Sequence, residues 1–180
     1  MTNRYIALLR GINVGGRVVK MERLRSVFAG LGLANVRTYI NSGNVFFDTA
    51  ETDRPSLTET IETALHEALG YQVPTFLRTP EELEAILARD PFVDIVRTDA
   101  DDLRFCVVFT AEQLNQGLEL PVSSSKNDME LVAVNEREAY VVWRLIGGRV
   151  SGKFPDDVLP PRNTTRFFHT LKKILAAATG

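Results

Sequence analysis

Basic residues, glycines and an asparagine are concentrated in the segment that follows the first apolar run of the chain. Glycines let backbone N–H groups approach a ligand, and the start of the next helix favours negative charge. Arginine and lysine add positive charge. The segment therefore predicts a site for a small anion such as a phosphate or a carboxylate, although its glycines would also serve simple tight turns. The candidate residues are Arg10, Gly11, Asn13, Gly15, Gly16 and Lys20.

A second polar cluster, Asn41, Ser42, Gly43 and Asn44, separates two segments rich in β-branched and aromatic residues. Such a sequence is typical of a hairpin turn. The hydroxyl of Ser42 and the amide of Asn44 could bind a ligand, but bonds to the backbone of the turn itself are the favoured interpretation for these two residues. No catalytic triad can be argued for Ser42, because both histidines fall on predicted helices far along the chain.

The elements around these clusters predict how they meet. Residues 5–9, 35–40, 45–48 and 73–77 have the pattern of strands, and helical spacing marks residues 21–31 and 57–68. Pro74 places the last strand at an edge. The order β-α-β-β-α-β over residues 1–78 predicts a ferredoxin-like lobe. In such a lobe the loop after strand one and the turn after strand two emerge at the same edge of the sheet.

The rest of the chain predicts a second lobe, and the whole protein an α+β fold. Residues 79–102 have the pattern of a capped helix followed by an acidic connection. Residues 103–180 follow the order β-α-β-β-α, a ferredoxin-like series without its last strand. The sequence Thr110–Gln113 is predicted to cap the first of these two helices, which is short, and Asn163, Thr164 or Thr165 is predicted to cap the C-terminal helix.

Other residues bear on the size of the anion site and on metal binding. Lys153, Arg162 and Arg166 would enlarge the anion site if the C-terminal loop folded back onto the first lobe. With two histidines and one cysteine, the chain has no pair spaced for zinc, and we expect no metal and no cofactor. Four aspartates lie in the segment that connects the two lobes. We interpret them as a solvated acidic connection, with binding of a hard cation as the alternative: Asp94, Asp99, Asp101 and Asp102.

Composition and charge disfavour some classes of binding partner. A net charge of -2 gives no overall attraction to a polyanion, and the signature of RNA-recognition domains is missing, which disfavours nucleic acid. Apolar runs are too short to cross a membrane, so we expect no membrane partner and a cytoplasmic location. The single cysteine, Cys106, lies in an apolar run and is expected to be buried and inert. An exposed edge strand would still allow a homodimer or another protein partner.

The clusters also carry a family resemblance. The sequences ALLRGINVGG at residues 7–16 and VRTYINSGNV at residues 36–45 resemble the bacterial family called Domain of Unknown Function 1697. The resemblance spans nearly the whole chain and implies a cytosolic protein with two ferredoxin-like lobes, but no activity. Near the C-terminus the chain departs from the family pattern, which usually has Asn-Trp-Asn where this chain has Phe167, Phe168 and His169.

Two functional hypotheses follow. The first is a small-molecule binder or hydrolase, by fold-level analogy with acylphosphatases. Arg10 would bind the anion, and Asn41 or Asn44 would orient a water molecule. The second is a module that binds protein or RNA without catalysis, and the sequence does not decide whether the protein is an enzyme.

Overall fold

The computed structural model describes residues 1–96 and 102–180, which form helices and two antiparallel sheets. The helices are α1 (Met21–Ala29), α2 (Arg54–Leu69), α3 (Pro80–Ala88) and α4 (Phe168–Thr179). The strands are β1 (Asn3–Leu9), β2 (Ala34–Thr38), β3 (Asn44–Thr49), β4 (Thr75–Arg78), β5 (Leu103–Thr110), β6 (Val122–Ser123), β7 (Met129–Val134), β8 (Glu138–Arg144) and β9 (Asn163–Phe167). The protein is thus a mixed α/β structure, in agreement with the predicted α+β class.

The chain divides into two compact units. Unit 1 comprises residues 1–85 together with 173–180, and unit 2 comprises residues 86–172. Each unit contains one of the two sheets. No helix in the described part of the chain is both long enough and apolar enough to cross a bilayer.

The sheet of unit 1 has the strand order β2-β3-β1-β4, and every neighbouring pair is antiparallel. Alternate residues of β1 and β3 point to a common core with α1 and α2, as strand periodicity requires. That core includes Tyr5, Ala7 and Leu9 from the sheet, and Phe28 and Ile61 from the helices, all buried. The two helices therefore cover one face of the sheet and hold the ends of β1 and β3 in place.

Short-range signals set the ends of the helices. Asp53 accepts a hydrogen bond from the backbone N–H of Ser56, and Gly70 ends α2 in the left-handed conformation. The predicted capping box before α3 is also present, because Thr79 and Glu82 bond each other's backbone N–H groups at 3.2 and 3.0 Å.

The edge strand β2 does not favour pairing with another chain. It contains a register shift between Ala34 and Arg37, and Asn35 has a φ of 51°. Bulges and charged side chains both discourage edge-to-edge association. The guanidinium of Arg37 lies over Phe46 and also bonds the carbonyl oxygen of Ala178, to which Arg4 donates as well.

The sheet of unit 2 has the strand order β6-β7-β8-β5-β9, and the short strand β6 was not predicted. The region differs from the prediction in two other places. The short helix predicted to begin at the cap Thr110–Gln113 is not formed. Thr110 is instead the last residue of β5, where its backbone N–H and its hydroxyl both donate to the carbonyl oxygen of Arg137. Pairing across the sheet therefore overrides the local helix signal.

The second difference concerns Asn163, Thr164 and Thr165, which were predicted to cap the C-terminal helix. They belong to strand β9, which pairs antiparallel with β5, and α4 begins only at Phe168. The series therefore contains a strand before its last helix that the prediction did not include, and no strand follows α4 among the described residues. Both threonines favour strands, and the neighbouring β5 supplies the hydrogen bonds that a helix cap would have made.

The acidic connection is described only in part. Asp94 is exposed, and Asp102 accepts a hydrogen bond of 2.6 Å from Arg104. Asp99 and Asp101 lie outside the described residues. Among the residues that the structure does describe, no three His, Cys, Asp or Glu side chains are grouped as a metal site would need.

Candidate functional site

The residues just beyond β1 are held by two neighbouring segments of unit 1. The backbone N–H of Leu9 donates to the carbonyl oxygen of Gly43 at 2.8 Å. The next N–H, that of Arg10, donates to the carbonyl oxygen of Pro74 at 3.0 Å. The start of the candidate loop is therefore fixed by backbone bonds, while the side chain of Arg10 is exposed.

The sign of φ alternates along the first three residues of the loop. Gly11 has a φ of 81° and Asn13 a φ of 56°, whereas Ile12 between them is not among the residues with positive φ. Alternation of left- and right-handed residues makes successive N–H groups converge into an anion-binding concavity. Ile12 is 2% exposed and anchors this segment in the core.

Residues 13–19 form a closed finger. The N–H of Arg17 donates to the carbonyl oxygen of Val14 at 3.0 Å, with Gly15 and Gly16 between them at φ 59° and 81°. Two consecutive positive φ values are characteristic of a type I′ turn. At the base of the finger, the side-chain oxygen of Asn13 accepts a hydrogen bond of 2.7 Å from the N–H of Val19.

The turn between β2 and β3 closes on itself around a buried asparagine. The side-chain amide of Asn44 donates to the carbonyl oxygen of Tyr39 and to the hydroxyl of Ser42, both at 3.1 Å. Asn44 has no exposed surface, whereas Asn41 and Ser42 are exposed. The side chain of Asn44 therefore serves the turn, as one of the two sequence alternatives proposed.

Gly43 lets the turn approach the end of β1 closely. Its φ is 86°, and a Cβ built on it would lie 3.0 Å from the Cβ of Leu9 and 3.1 Å from the Cβ of Ile12. An L-residue at this position would meet both a strained backbone and a steric conflict.

One hydrogen bond joins the finger to the turn. The side-chain amide nitrogen of Asn13 donates to the carbonyl oxygen of Asn41 at 2.8 Å. The structure thus brings together the two polar clusters that the sequence argument placed at one edge of the sheet. Asn13 makes both this bond and the bond to Val19, so a single side chain positions the finger against the turn.

The region is locally basic although the chain is not. Residues 10–25 contain one acid, Glu22, against five basic residues: Arg10, Arg17, Lys20, Arg23 and Arg25. Arg23 donates to the carbonyl oxygen of Ala68, and Arg25 to the hydroxyl of Thr38.

The other three basic residues, Arg10, Arg17 and Lys20, are exposed around the loop. The guanidinium of Arg17 lies 4.2 Å from the ring centre of Tyr71, a cation–π contact that orients it. Lys20 occupies the position before α1, and its side chain makes no cap bond to the helix. Three exposed cations therefore belong to the loop, and sequence reasoning had included Arg10 and Lys20 among them.

Sequence reasoning had missed Arg17 and Tyr71. The position of Arg17 directly after the Gly15–Gly16 turn was a usable signal, because a turn returns the chain toward its starting point. No local signal connects Tyr71 with the loop, since the contact joins residues far apart in the chain.

Arg166 is placed differently from the other candidates. It lies in β9 of unit 2, is 7% exposed, and bonds the hydroxyl of Thr164 and the carbonyl oxygen of Thr165, both at 2.9 Å. Burial lowers the pKa of its guanidinium to about 10. Cys106, in the same unit, is fully buried as predicted, and burial raises the pKa of its thiol.

Comparison with known proteins identifies the family of the chain and one similar solved structure. A conserved bacterial protein from Streptococcus pneumoniae has a solved structure that matches with a TM-score of 0.69 and 27% sequence identity, covering 100% of both chains. No curated protein matches the chain. The model of the family described as "Protein of unknown function (DUF1697)" matches residues 1–140. The chain therefore belongs to this family, as the two polar sequence blocks indicated.

Proposed function

We propose that the loop from Arg10 to Lys20 binds a small anion, a phosphate or a carboxylate, beside the turn Asn41–Asn44. The observation that carries the proposal is the alternating φ of Gly11, Ile12 and Asn13 directly after an exposed arginine. Backbone N–H groups arranged in this way present partial positive charge to an anion, and Arg10 and Lys20 add full charges.

Binding is better supported than hydrolysis. Of the two asparagines considered for orienting a water molecule, Asn44 is fully buried and bonded within its own turn. The carbonyl oxygen of Asn41 accepts a bond from Asn13, which leaves its exposed side chain as the remaining candidate. The proposed function is therefore recognition of an anionic ligand, with catalysis by Asn41 as an addition that activity assays would reveal.

The topology of unit 1 supports placing the loop after β1 beside the turn after β2. We take unit 1 to be a ferredoxin-like lobe, because its sheet has the order β2-β3-β1-β4 with α1 following β1 and α2 following β3. Strands β1 and β2 both pair antiparallel with β3 and so run in the same direction. The loop after β1 and the turn after β2 therefore emerge at one edge.

Thermal unfolding in increasing phosphate or acetate tests the proposal. A ligand at ten times its dissociation constant stabilises the native state by about 1.4 kcal/mol. For a chain of this length that raises the melting temperature by roughly 3–5 °C. The wild type should show this shift, and the variants Arg10→Ala and Lys20→Ala should lose most of it.

The matched control is Lys126→Ala, which removes one exposed positive charge from unit 2. It should respond to phosphate like the wild type. An equal shift in Arg10→Ala, Lys20→Ala and Lys126→Ala would refute the loop as the binding site. The absence of any shift with either anion in the wild type would refute the function itself.

A further inference from the structure

Aliphatic side chains protrude from the same loop and turn that hold the candidate anion site. Val18 is 86% exposed, Val14 56% and Ile40 46%. All three neighbour residues of the bonded junction: Val14 follows Asn13, Val18 precedes Val19, and Ile40 precedes Asn41. The hydrogen bonds of Asn13 therefore hold three exposed aliphatic residues near one another, beside the cations Arg10, Arg17 and Lys20.

The backbone of Ile40 adds an independent observation. Its φ is 49°, which is a genuine outlier for a β-branched residue. A strained residue usually persists because the surrounding structure compensates for it, and such residues cluster at functional sites. Ile40 is both strained and exposed, so packing in the core of unit 1 does not explain why an isoleucine occupies this strained position.

We infer that this surface, composed of the finger 13–19, Ile40, Arg10 and Lys20, docks on an anionic lipid bilayer. Val14, Val18 and Ile40 would enter the interfacial layer, and the cations would contact the phosphates of the headgroups. The inference rests on the proposed function, because the lipid phosphate would be the anion recognised by the loop. The contact is peripheral. It departs from the expectation of no membrane partner, which rested on the absence of an apolar run long enough to span a bilayer.

The chemistry of the surface favours lipid over protein. The energetically dominant residues of protein interfaces are mostly tryptophan, tyrosine and arginine in the centre of a large patch, and valine is under-represented. Peripheral membrane contacts instead combine modest apolar burial with attraction between basic residues and anionic headgroups. The exposed residues Arg10, Arg17 and Lys20 supply that complementarity in a chain whose net charge is -2.

Co-sedimentation of the full chain with vesicles tests the inference. We expect binding to phosphatidylcholine vesicles that contain phosphatidylglycerol, and little binding to phosphatidylcholine alone. Lys20→Ala should weaken binding about fivefold, the effect of one basic residue near an anionic surface. The double variant V14S/V18S should weaken it by at least about tenfold, since each immersed methylene contributes roughly a factor of four.

The structure offers matched controls. Val93 and Val96 of unit 2 are 74% and 81% exposed, so V93S/V96S makes the same chemical change elsewhere and should bind like the wild type. Lys126→Ala is the control for charge. Because all these side chains are exposed, the variants should fold alike, and thermal unfolding without vesicles checks this.

The phosphate and vesicle experiments together separate failure of the lipid inference from failure of the proposed function. If phosphate stabilises the protein but vesicles do not sediment it, the lipid inference fails and the proposed function stands. If neither binds, both fail. Equal vesicle binding by V14S/V18S and V93S/V96S would refute insertion of the finger. Light scattering that showed a dimer, lost only in V14S/V18S, would assign the surface to a second copy of the chain instead.

Discussion

The loop of residues 10–20 in unit 1 and the loop of residues 150–162 in unit 2 contain similar residue types and use them in opposite ways. Both contain glycine and basic residues; the sequence predicted an anion site in the first, which Lys153 and Arg162 of the second would enlarge if it folded back. In unit 2 the backbone N–H groups of Ser151 and Gly152 already donate to a carboxylate of the protein, that of Asp128, at 2.6 and 2.9 Å. In unit 1 the bonds that close the finger involve Asn13 and the backbone.

The two loops also differ in how their apolar residues are used. Phe154, Val158 and Leu159 of the second loop pack against the core of the unit 2 sheet. Val14 and Val18 of the first loop are exposed. The second loop is thus tied into its unit by an internal carboxylate and a core, whereas aliphatic side chains of the first loop are exposed.

The largest expected effect comes from removing the internal carboxylate. Asp128 is 2% exposed and also accepts a bond from the hydroxyl of Ser124. Asp128→Ala removes the acceptor of the buried Ser124 hydroxyl and of the part-buried N–H groups of Ser151 and Gly152, and should lower the free energy of unfolding of unit 2 by about 3 kcal/mol. Urea unfolding followed by the fluorescence of Trp143, which packs on the same core, measures this change. Asp156→Ala, at an exposed position of the same loop, should change it by less than about 0.5 kcal/mol. Similar values for the two variants would contradict the structural role of Asp128.

The carboxylate of Asp128 also makes the free energy of unfolding depend on pH. Hydrogen bonds from the backbone of Ser151 and Gly152 lower the pKa of Asp128 from 3.8 to about 2. A lowered folded-state pKa contributes stability above pH 3.8 that is lost as the pH falls through 2. The difference in unfolding free energy between wild type and Asp128→Asn should therefore be constant near neutral pH and should shrink below about pH 4. A difference that grew with acidification would show that the charge is not the stabilising feature.

An effect of similar size should follow from filling the space that Gly43 leaves between turn and strand. Gly43→Ala should destabilise unit 1 by about 2–4 kcal/mol, because positive φ and steric overlap act together. Gly32→Ala is the matched control: φ is 80° there, but no atom lies within 4 Å of the added Cβ, so only about 1–2 kcal/mol is expected. Hydrogen exchange of the Leu9 amide, which donates to Gly43, reports the loosening directly. Equal effects in the two variants would mean that the close approach of the turn costs nothing.

The smallest expected effect has the opposite sign. Ile40→Asn should stabilise unit 1 by roughly 0.5–1 kcal/mol, because asparagine tolerates the left-handed conformation better than a β-branched residue. Val18→Asn, at an exposed position without positive φ, should leave stability within about 0.5 kcal/mol of the wild type. If Ile40→Asn lowered the melting temperature, Ile40 would have a packing role that its exposure does not indicate.

Much of unit 1 could be predicted from sequence because its signals are local. Apolar periodicity placed β1, α1 and α2, and Asp53, Gly70 and the Thr79–Glu82 pair marked helix ends that the structure contains. The two polar clusters of the candidate site were also visible, because glycine and asparagine mark turns whatever their surroundings. Unit 2 was harder, because the residues that form β9 have the composition of a helix cap and become a strand only by pairing with β5.

By itself, the sequence determined the family, the α+β class, and the glycines and cations from which a binding loop could be made. Only the tertiary structure decided which of these residues meet. Asn13 reaches Asn41 across 28 positions, and Asp128 reaches Ser151 across 23. Burial of Arg166 and exposure of Val18 likewise depend on what packs nearby. The physical reason is that contacts between distant segments set charge, burial and backbone strain, whereas sequence patterns report local conformational preference.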